Sequence, residues 1–495
     1  MSTRRQTLAA LLGAPWALRA AEDIVKHPRE LQFAPRTFTP PRAADFRHQL
    51  SNGATAFLVE DHDFPLINIS VTVRTGEFVE PPEKAGLAQL TGSQIRAGGT
   101  TARKPLDFDE DADFLAASLS SGIGDVSGSA GLNCLSKDID AGLALFVEML
   151  RTPGFDGERL QLAKSQLLQS LERRNDSTAS IEQREWARLL RGTSHFSARQ
   201  ATKASVESIT REEMAQFHAR YFFPANFVFA VSGDFKTADM LARLEKAFGN
   251  WPSPRIAPPQ VPKPNFTPKP GVYLVHKPGV NQGRVRMGHL GVMISNPDHL
   301  AISLMNSILG GGAFTSRITE RVRSDEGLAY SAGSMFMPGT YYEGTFTAAF
   351  QSKSETVAQA VAIIFEEIEK IRTQRVKPEE LDTAKARAIE ALPTRFATAA
   401  SRAGQFASDF YTKLPEDYWQ KYAERIRAVT IEEIQRVAQK YLRPEQMVVL
   451  AVGDADAILK GNPDKPQFKL ETWAGGAGIV RIPLPDPLTM VYPAG

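Results

Sequence analysis

Ile209 to Asp234 reads ITREEMAQFHARYFFPANFVFAVSGD, and Val429 to Asp454 reads VTIEEIQRVAQKYLRPEQMVVLAVGD. The two stretches align without a gap at an offset of 220, with Thr210/Thr430, Glu213/Glu433, Tyr221/Tyr441, Pro224/Pro444, Gly233/Gly453 and Asp234/Asp454 among the identities. Each pairs a threonine with a glutamate three residues on, the capping box that starts a helix. Apolar residues follow at helical spacing: Met214, Phe217 and Tyr221 in one copy, Ile434, Val437 and Tyr441 in the other. Proline stops the helix. The runs Phe227 to Val231 and Met447 to Val452 are continuously apolar, as buried strands are, and a Gly-Asp turn closes each.

A second echo lies upstream, where Glu158 to Lys164 matches Glu379 to Lys385 at an offset of 221. Two echoes at nearly one offset imply a duplication into homologous domains, expected over residues 43–252 and 271–456. Trp251 to Gly271, with eight prolines in 21 residues, predicts an extended linker centred on 253–270, and 457–495 forms a C-terminal extension. Thr55 to Glu60 and Leu66 to Val73 read as strands joined by a short polar turn. Helical patterns cover Ile139 to Leu150, Glu158 to Arg174, Ser354 to Arg372 and Pro378 to Leu392. The fold class expected is α+β, with two homologous domains, each an antiparallel-rich sheet packed against helices.

Met1 to Ala21 has the form of an export signal: Arg4 and Arg5, an apolar stretch from Leu8 to Leu18, and small residues at Ala20 and Ala21. The context of Arg4-Arg5 resembles a twin-arginine signal, so a periplasmic or secreted location is expected, with no membrane span after signal removal. Residues 22–42 and 473–495 carry no assignable role.

Lys+Arg minus Asp+Glu is 58 − 56 = +2, which gives no global field to recruit nucleic acid. The arginines between Arg184 and Arg191 alternate with apolar residues and read as a solvated helix face. The single cysteine, Cys134, excludes an intramolecular disulfide and reads as a buried structural thiol. The eight histidines are never closer than ten residues, so no paired-histidine zinc helix exists. No G-x-S-x-G elbow is present, and the triple glycine at 310–312 lacks the Lys-Ser/Thr of a phosphate loop.

Gly86-Leu-Ala-Gln-Leu-Thr-Gly-Ser93, closed by Gly99-Thr100, resembles the zinc-site helix of the pitrilysin/insulinase family of zinc metallopeptidases. There the pattern is G-L-A-H-x-x-E-H: two histidines one turn apart bind zinc, a glutamate activates water, and a later glutamate completes the site. In this chain Gln89, Gly92, Ser93 and Ser170 stand at those four positions, so the resemblance implies a degenerate zinc site and no metal in this chain. Leu309 to Arg317 followed by Glu320 to Ser331 resembles the family's second-half signature, a glycine-rich turn and then an arginine and a tyrosine seven residues apart.

In the family's bacterial two-chain branch, one chain bears zinc and the other lends this Arg/Tyr pair. The resemblance therefore implies a non-catalytic subunit of a heterodimeric zinc metallopeptidase, with Arg323 and Tyr330 acting in trans and zinc carried by the partner subunit. Gly310, Gly311 and Gly312 would line the peptide chamber, and Gln282 also matches a family position in the cleft. The alternative is a structural or peptide-binding scaffold of the same fold.

Overall fold

The computed structural model describes residues 38–254 and 256–493. The expected export signal, Met1 to Ala21, lies outside the described residues, as does most of 22–42. Among the described residues no helix is long and apolar enough to cross a membrane.

Two six-stranded sheets form the frame. The first contains β1 (Arg47–Gln49), β2 (Thr55–Glu60), β3 (Leu66–Val73), β4 (Ser118–Ile123), β5 (Gly128–Leu135) and β6 (Phe227–Gly233), in the order β1-β2-β6-β3-β5-β4. The second contains β7 (Gly271–His276), β8 (Gln282–Leu290), β9 (Ala329–Met337), β10 (Thr345–Lys353), β11 (Val448–Gly453) and β12 (Val480–Ile482), in the order β12-β7-β11-β8-β10-β9. The strands of the repeated unit, β6 and β11, sit at equivalent interior places. Both capping boxes form: Thr210 and Thr430 accept from the backbone N–H of Glu213 and Glu433, whose carboxylates accept in return.

One local expectation fails. β2 and β3 do not pair as a hairpin, because β6 lies between them, parallel to β2 and antiparallel to β3. A strand apolar on both faces gains most from two strand neighbours and two covered faces, and β6 is buried along almost its whole length.

Each sheet packs one face on the helices of its own half, and these make the two large cores. The other face is covered by a helix from the opposite half. The helix Thr178–Arg191 lays Ile181, Trp186 and Leu190 on Val275, Val448, Leu450 and Val452 of the second sheet. The helix Ala399–Thr412, 221 residues later, lays Phe406 and Ala407 on Phe57 and Val228 of the first sheet, and Ala399 and Ala403 on Val59. Phe406 is joined there by Phe46, whose ring stacks on it at 5.4 Å. The exchange is reciprocal.

It also overturns the solvated reading of the arginine-rich stretch. Glu182 is fully buried and accepts from both Arg284 and Arg286 of β8. Glu185 is fully buried and pairs with Arg184 at 2.8 Å and Arg188 at 3.3 Å. Buried carboxylates require such partners.

The C-terminal extension ties this arrangement down. β12 pairs in parallel with β7 and takes the place that β1 holds in the first sheet. Beyond it, Pro485 O accepts from Asn175 Nδ2 at 2.8 Å and Leu488 O from the Lys203 N–H at 2.8 Å. The Tyr492 hydroxyl donates to Glu185 Oε1 at 2.8 Å, and the Arg188 guanidinium lies 3.9 Å from the Tyr492 ring centre. The proline-rich segment carries no helix or strand over its described residues, and it is held where Pro262 O meets His195 Nε2 at 3.1 Å. Cys134 is buried, and burial pushes its thiol up to about 11, as a structural cysteine requires.

Because each half supplies cover for the other, Phe406→Ala is expected to cost about 3–5 kcal/mol. The loss should appear as one shifted transition for the whole of 40–495. Urea melts followed by far-ultraviolet circular dichroism and by tryptophan fluorescence should stay coincident in the variant; separate transitions for the two halves would contradict the exchange.

Candidate functional site

The helix Leu87–Ala97 begins where Gly86 adopts φ +102°, a conformation glycine takes at little cost. Glu80 caps it, accepting from the Ala88 N–H at 2.9 Å and the Gly86 N–H at 3.3 Å. Gln89 and Ser93 lie on its exposed side, four residues apart, and Ser170 is exposed on the helix Gly157–Glu172 that packs against it. A carboxamide and two hydroxyls are poor zinc donors.

Gly92 is buried in the helix–β4 contact. A Cβ there would lie 2.7 Å from the Gly122 carbonyl carbon and nearer still to the Ile123 nitrogen, and Gly92 O accepts from Ser121 Oγ at 2.6 Å. Backbone packing therefore leaves no room for a side chain at this position. These residues do not fit a zinc ion. Among the described residues no group of three or more His, Cys, Asp or Glu side chains is arranged to hold a metal.

The second-half signature is assembled differently. After the helix His299–Asn306, the chain passes through a widened turn, Ser307–Gly311. A Cβ on Gly310 would meet Ser334 Cβ at 2.9 Å, and one on Gly311 would meet Asn306 Nδ2 at 2.8 Å. The close backbone approach that Gly310 permits is thus to β9 of the same chain, while Gly311 lies against Asn306 of the preceding helix. That turn and its neighbours also occupy the outer edge of β9: Asn306 Nδ2 donates to Ser334 O at 3.1 Å and Thr319 Oγ1 to Ala332 O at 2.8 Å. Gly312 is held against Ser307 O and Thr315.

Arg323 and Tyr330 come together. The Arg323 guanidinium lies 4.6 Å from the Tyr330 ring centre and 4.4 Å from that of Phe314, so it is clasped between two rings. Tyr330 is 85% exposed and Phe314 is 65% exposed. Phe314 was not singled out from the sequence; its only signal is its place directly after the glycine turn.

Arg323, Gly310 and Gly311 border a cavity of about 780 Å³. It opens between β9 and β10 on one side and the exchanged helix Thr178–Arg191 on the other, with Trp186, Arg191, Arg286 and Met335 on its walls. Gln282 is not brought to it: this residue starts β8 and accepts from Gln351 Nε2 at 2.7 Å on the exposed end of the sheet. Asp125, in the β4–β5 turn, reaches the cavity wall. Behind it Glu77 is pushed up to about 7, chiefly by burial and then by Asp125 and Glu80.

Comparison with known proteins adds to this geometry. The family described as "Peptidase M16 inactive domain" matches residues 208–388. A Helicobacter pylori protein named "Non-peptidase homolog YmxG" is 27% identical over 400 residues, covering 79% of this chain and 90% of that one. The crystal structure of a peptidase M16 inactive domain from Pseudomonas fluorescens superposes with a TM-score of 0.73 at 25% identity, over 82% of this chain and 97% of that chain. The periplasmic protease PqqL of Escherichia coli shares the fold at a TM-score of 0.70 and 13% identity, and 85% of this chain covers 46% of its length.

Two outcomes are expected. Restoring the motif by Gln89→His, Gly92→Glu and Ser93→His together should lower the melting temperature and leave zinc uptake, measured by competition with a chromogenic chelator, no better than in the parent. Glu77 holds a proton in the folded chain that the unfolded chain gives up from its ordinary 4.5, so stability should fall as pH rises from there through about 7. Glu77→Gln should flatten thermal melts across that window and raise the midpoint at pH 8.

Proposed function

We propose that the chain is a non-catalytic homologue of the M16, or pitrilysin/insulinase-type, peptidases, and that it is the donor subunit of a two-chain peptidase. A zinc-bearing homologue supplies the metal and its water, and this chain supplies Arg323 and Tyr330. The observation that carries the reading is the Phe314–Arg323–Tyr330 stack. Among the described residues, no carboxylate of the same chain lies within ion-pairing distance of Arg323, and most of the Tyr330 side chain faces outward.

The chemistry follows from the side chains. The two flanking rings fix the plane of the Arg323 guanidinium and leave its N–H edge free to donate. The Tyr330 hydroxyl is a second donor. Two donors converging on a peptide carbonyl bind it in the ground state and hold it more strongly as negative charge develops on its oxygen. The Gly92–β4 contact leaves this chain no room for a base at that position, so the base would be the zinc-bearing homologue's. That this chain matches just under half the length of the Escherichia coli protease accords with one half of a two-part enclosure. The leader around Arg4 and Arg5 supports a place for the pair outside the cytoplasm.

The test is reconstitution of the full chain with a zinc-bearing homologue from the same organism, assayed on a quenched fluorescent peptide. Activity is expected only in the mixture. Arg323→Ala and Tyr330→Phe should each reduce kcat about 10²–10³-fold, the usual loss for one oxyanion donor, with association unchanged. A complex that forms and stays inactive would overturn the donor role in favour of a scaffold.

A further inference from the structure

The cavity beside Arg323 has a second guanidinium on its wall, Arg191, at the end of the exchanged helix Thr178–Arg191. Its neighbour on that wall, Arg286, is paired with buried Glu182, which it shares with Arg284. Arg191 has no such ion pair among the described residues. Its guanidinium lies 4.4 Å from the Tyr342 ring centre, and its Nη1 is shielded from solvent without a hydrogen-bond acceptor. Asp125 and Glu343 attract it only from beyond ion-pair range. Arg191 borders the open cavity without an ion-pair partner, and such a guanidinium favours a carboxylate, which it can hold by two parallel hydrogen bonds.

The remaining walls select what carries that carboxylate. Trp186 borders the cavity from the exchanged helix, and Met335 and Met337 face it from β9, each methionine 59% exposed. Methionines adapt to irregular apolar shapes. An inorganic anion would leave these walls wet, whereas a short peptide ending in an apolar residue fills both parts.

We propose that this cavity is a peptide-carboxylate site, in which Arg191 takes the carboxylate and the Trp186–Met335–Met337 surface takes the adjoining apolar side chain. The proposal rests on the peptide-handling role above and places peptide recognition partly in the exchanged helix of the first half. Binding is asked of this chain alone, so its outcome is separable from that of reconstitution.

The probes are acetyl-Ala-Ala-Ala-Leu as the free acid and as the C-terminal amide, and acetyl-Ala-Glu-Ala-Leu amide, titrated into the mature chain by calorimetry and by the quenching of tryptophan emission. The free acid should bind at least tenfold tighter than the amide, and Arg191→Gln should abolish that preference while keeping the parent's melting temperature. If the glutamate-containing amide binds as well as the free acid, the site takes a carboxylate from either source; if it does not, the site reads a chain terminus. Equal binding of the free acid and both amides, or no binding of any, overturns the proposal. Because the comparison of ligands uses the parent chain, it decides the matter even where Arg191→Gln fails to fold. Acid-selective binding with an inactive reconstituted pair would reject the donor role and leave this site standing.

Discussion

The structure depends on an exchange of cover. Neither sheet has two apolar faces satisfied by its own half, and each borrows one helix from the other: Thr178–Arg191 goes to the second sheet and Ala399–Thr412 to the first. An uncovered sheet face such as Val448, Leu450 and Val452 would leave three fully buried side chains in water, each worth roughly 1.5–3 kcal/mol of burial. The exchange therefore fixes how the two halves sit together more firmly than the linker does. It also places Arg191 and Trp186, encoded in the first half, on the wall of a cavity built by the second. The buried pairing of Glu182 with two β8 arginines sets the register of the borrowed helix, since sliding it by a turn would strand that carboxylate among apolar side chains.

The duplication, the capping boxes and the limits of the elements named from the sequence were legible because they arise from local signals: a threonine three residues before a glutamate, a run of valines, a proline after a periodic stretch. The pairing of β2 with β6 instead of β3, the exchange of helices and the burial of the arginine-rich stretch were not legible. Each is set by residues more than a hundred positions apart, and an amphipathic helix with charges on one side looks the same whether that side meets water or an arginine-bearing strand. Glu182 and Glu185 gave a hint in retrospect, for they share a helix face with no lysine beside them.

The candidate site divides along the same line. That Gln89, Ser93 and Ser170 are poor zinc donors could be read from residue types alone. The close approach of Gly92 to β4, which leaves no space for a side chain there, could not. Arg323 and Tyr330 were singled out by the resemblance of their stretch to a family signature, while Phe314, which completes the clasp, was hidden in a loop without periodicity. The triple glycine was visible as a turn, but that Gly310 lies against β9 was not.

A chain made from its N-terminus outward meets the exchange as a problem of order. Phe57, Val59 and Val228 belong to strands complete by residue 233, yet their cover ends only at Thr412. Through that interval the first sheet presents a bare apolar face, the kind of surface on which half-made chains associate with one another. The last strand, β12, and the anchor at Tyr492 arrive later still and close the second sheet's edge. Folding of this molecule is thus a concluding event, gated by the appearance of its final fifth, and holding the nascent chain unfolded until then is a requirement imposed by topology.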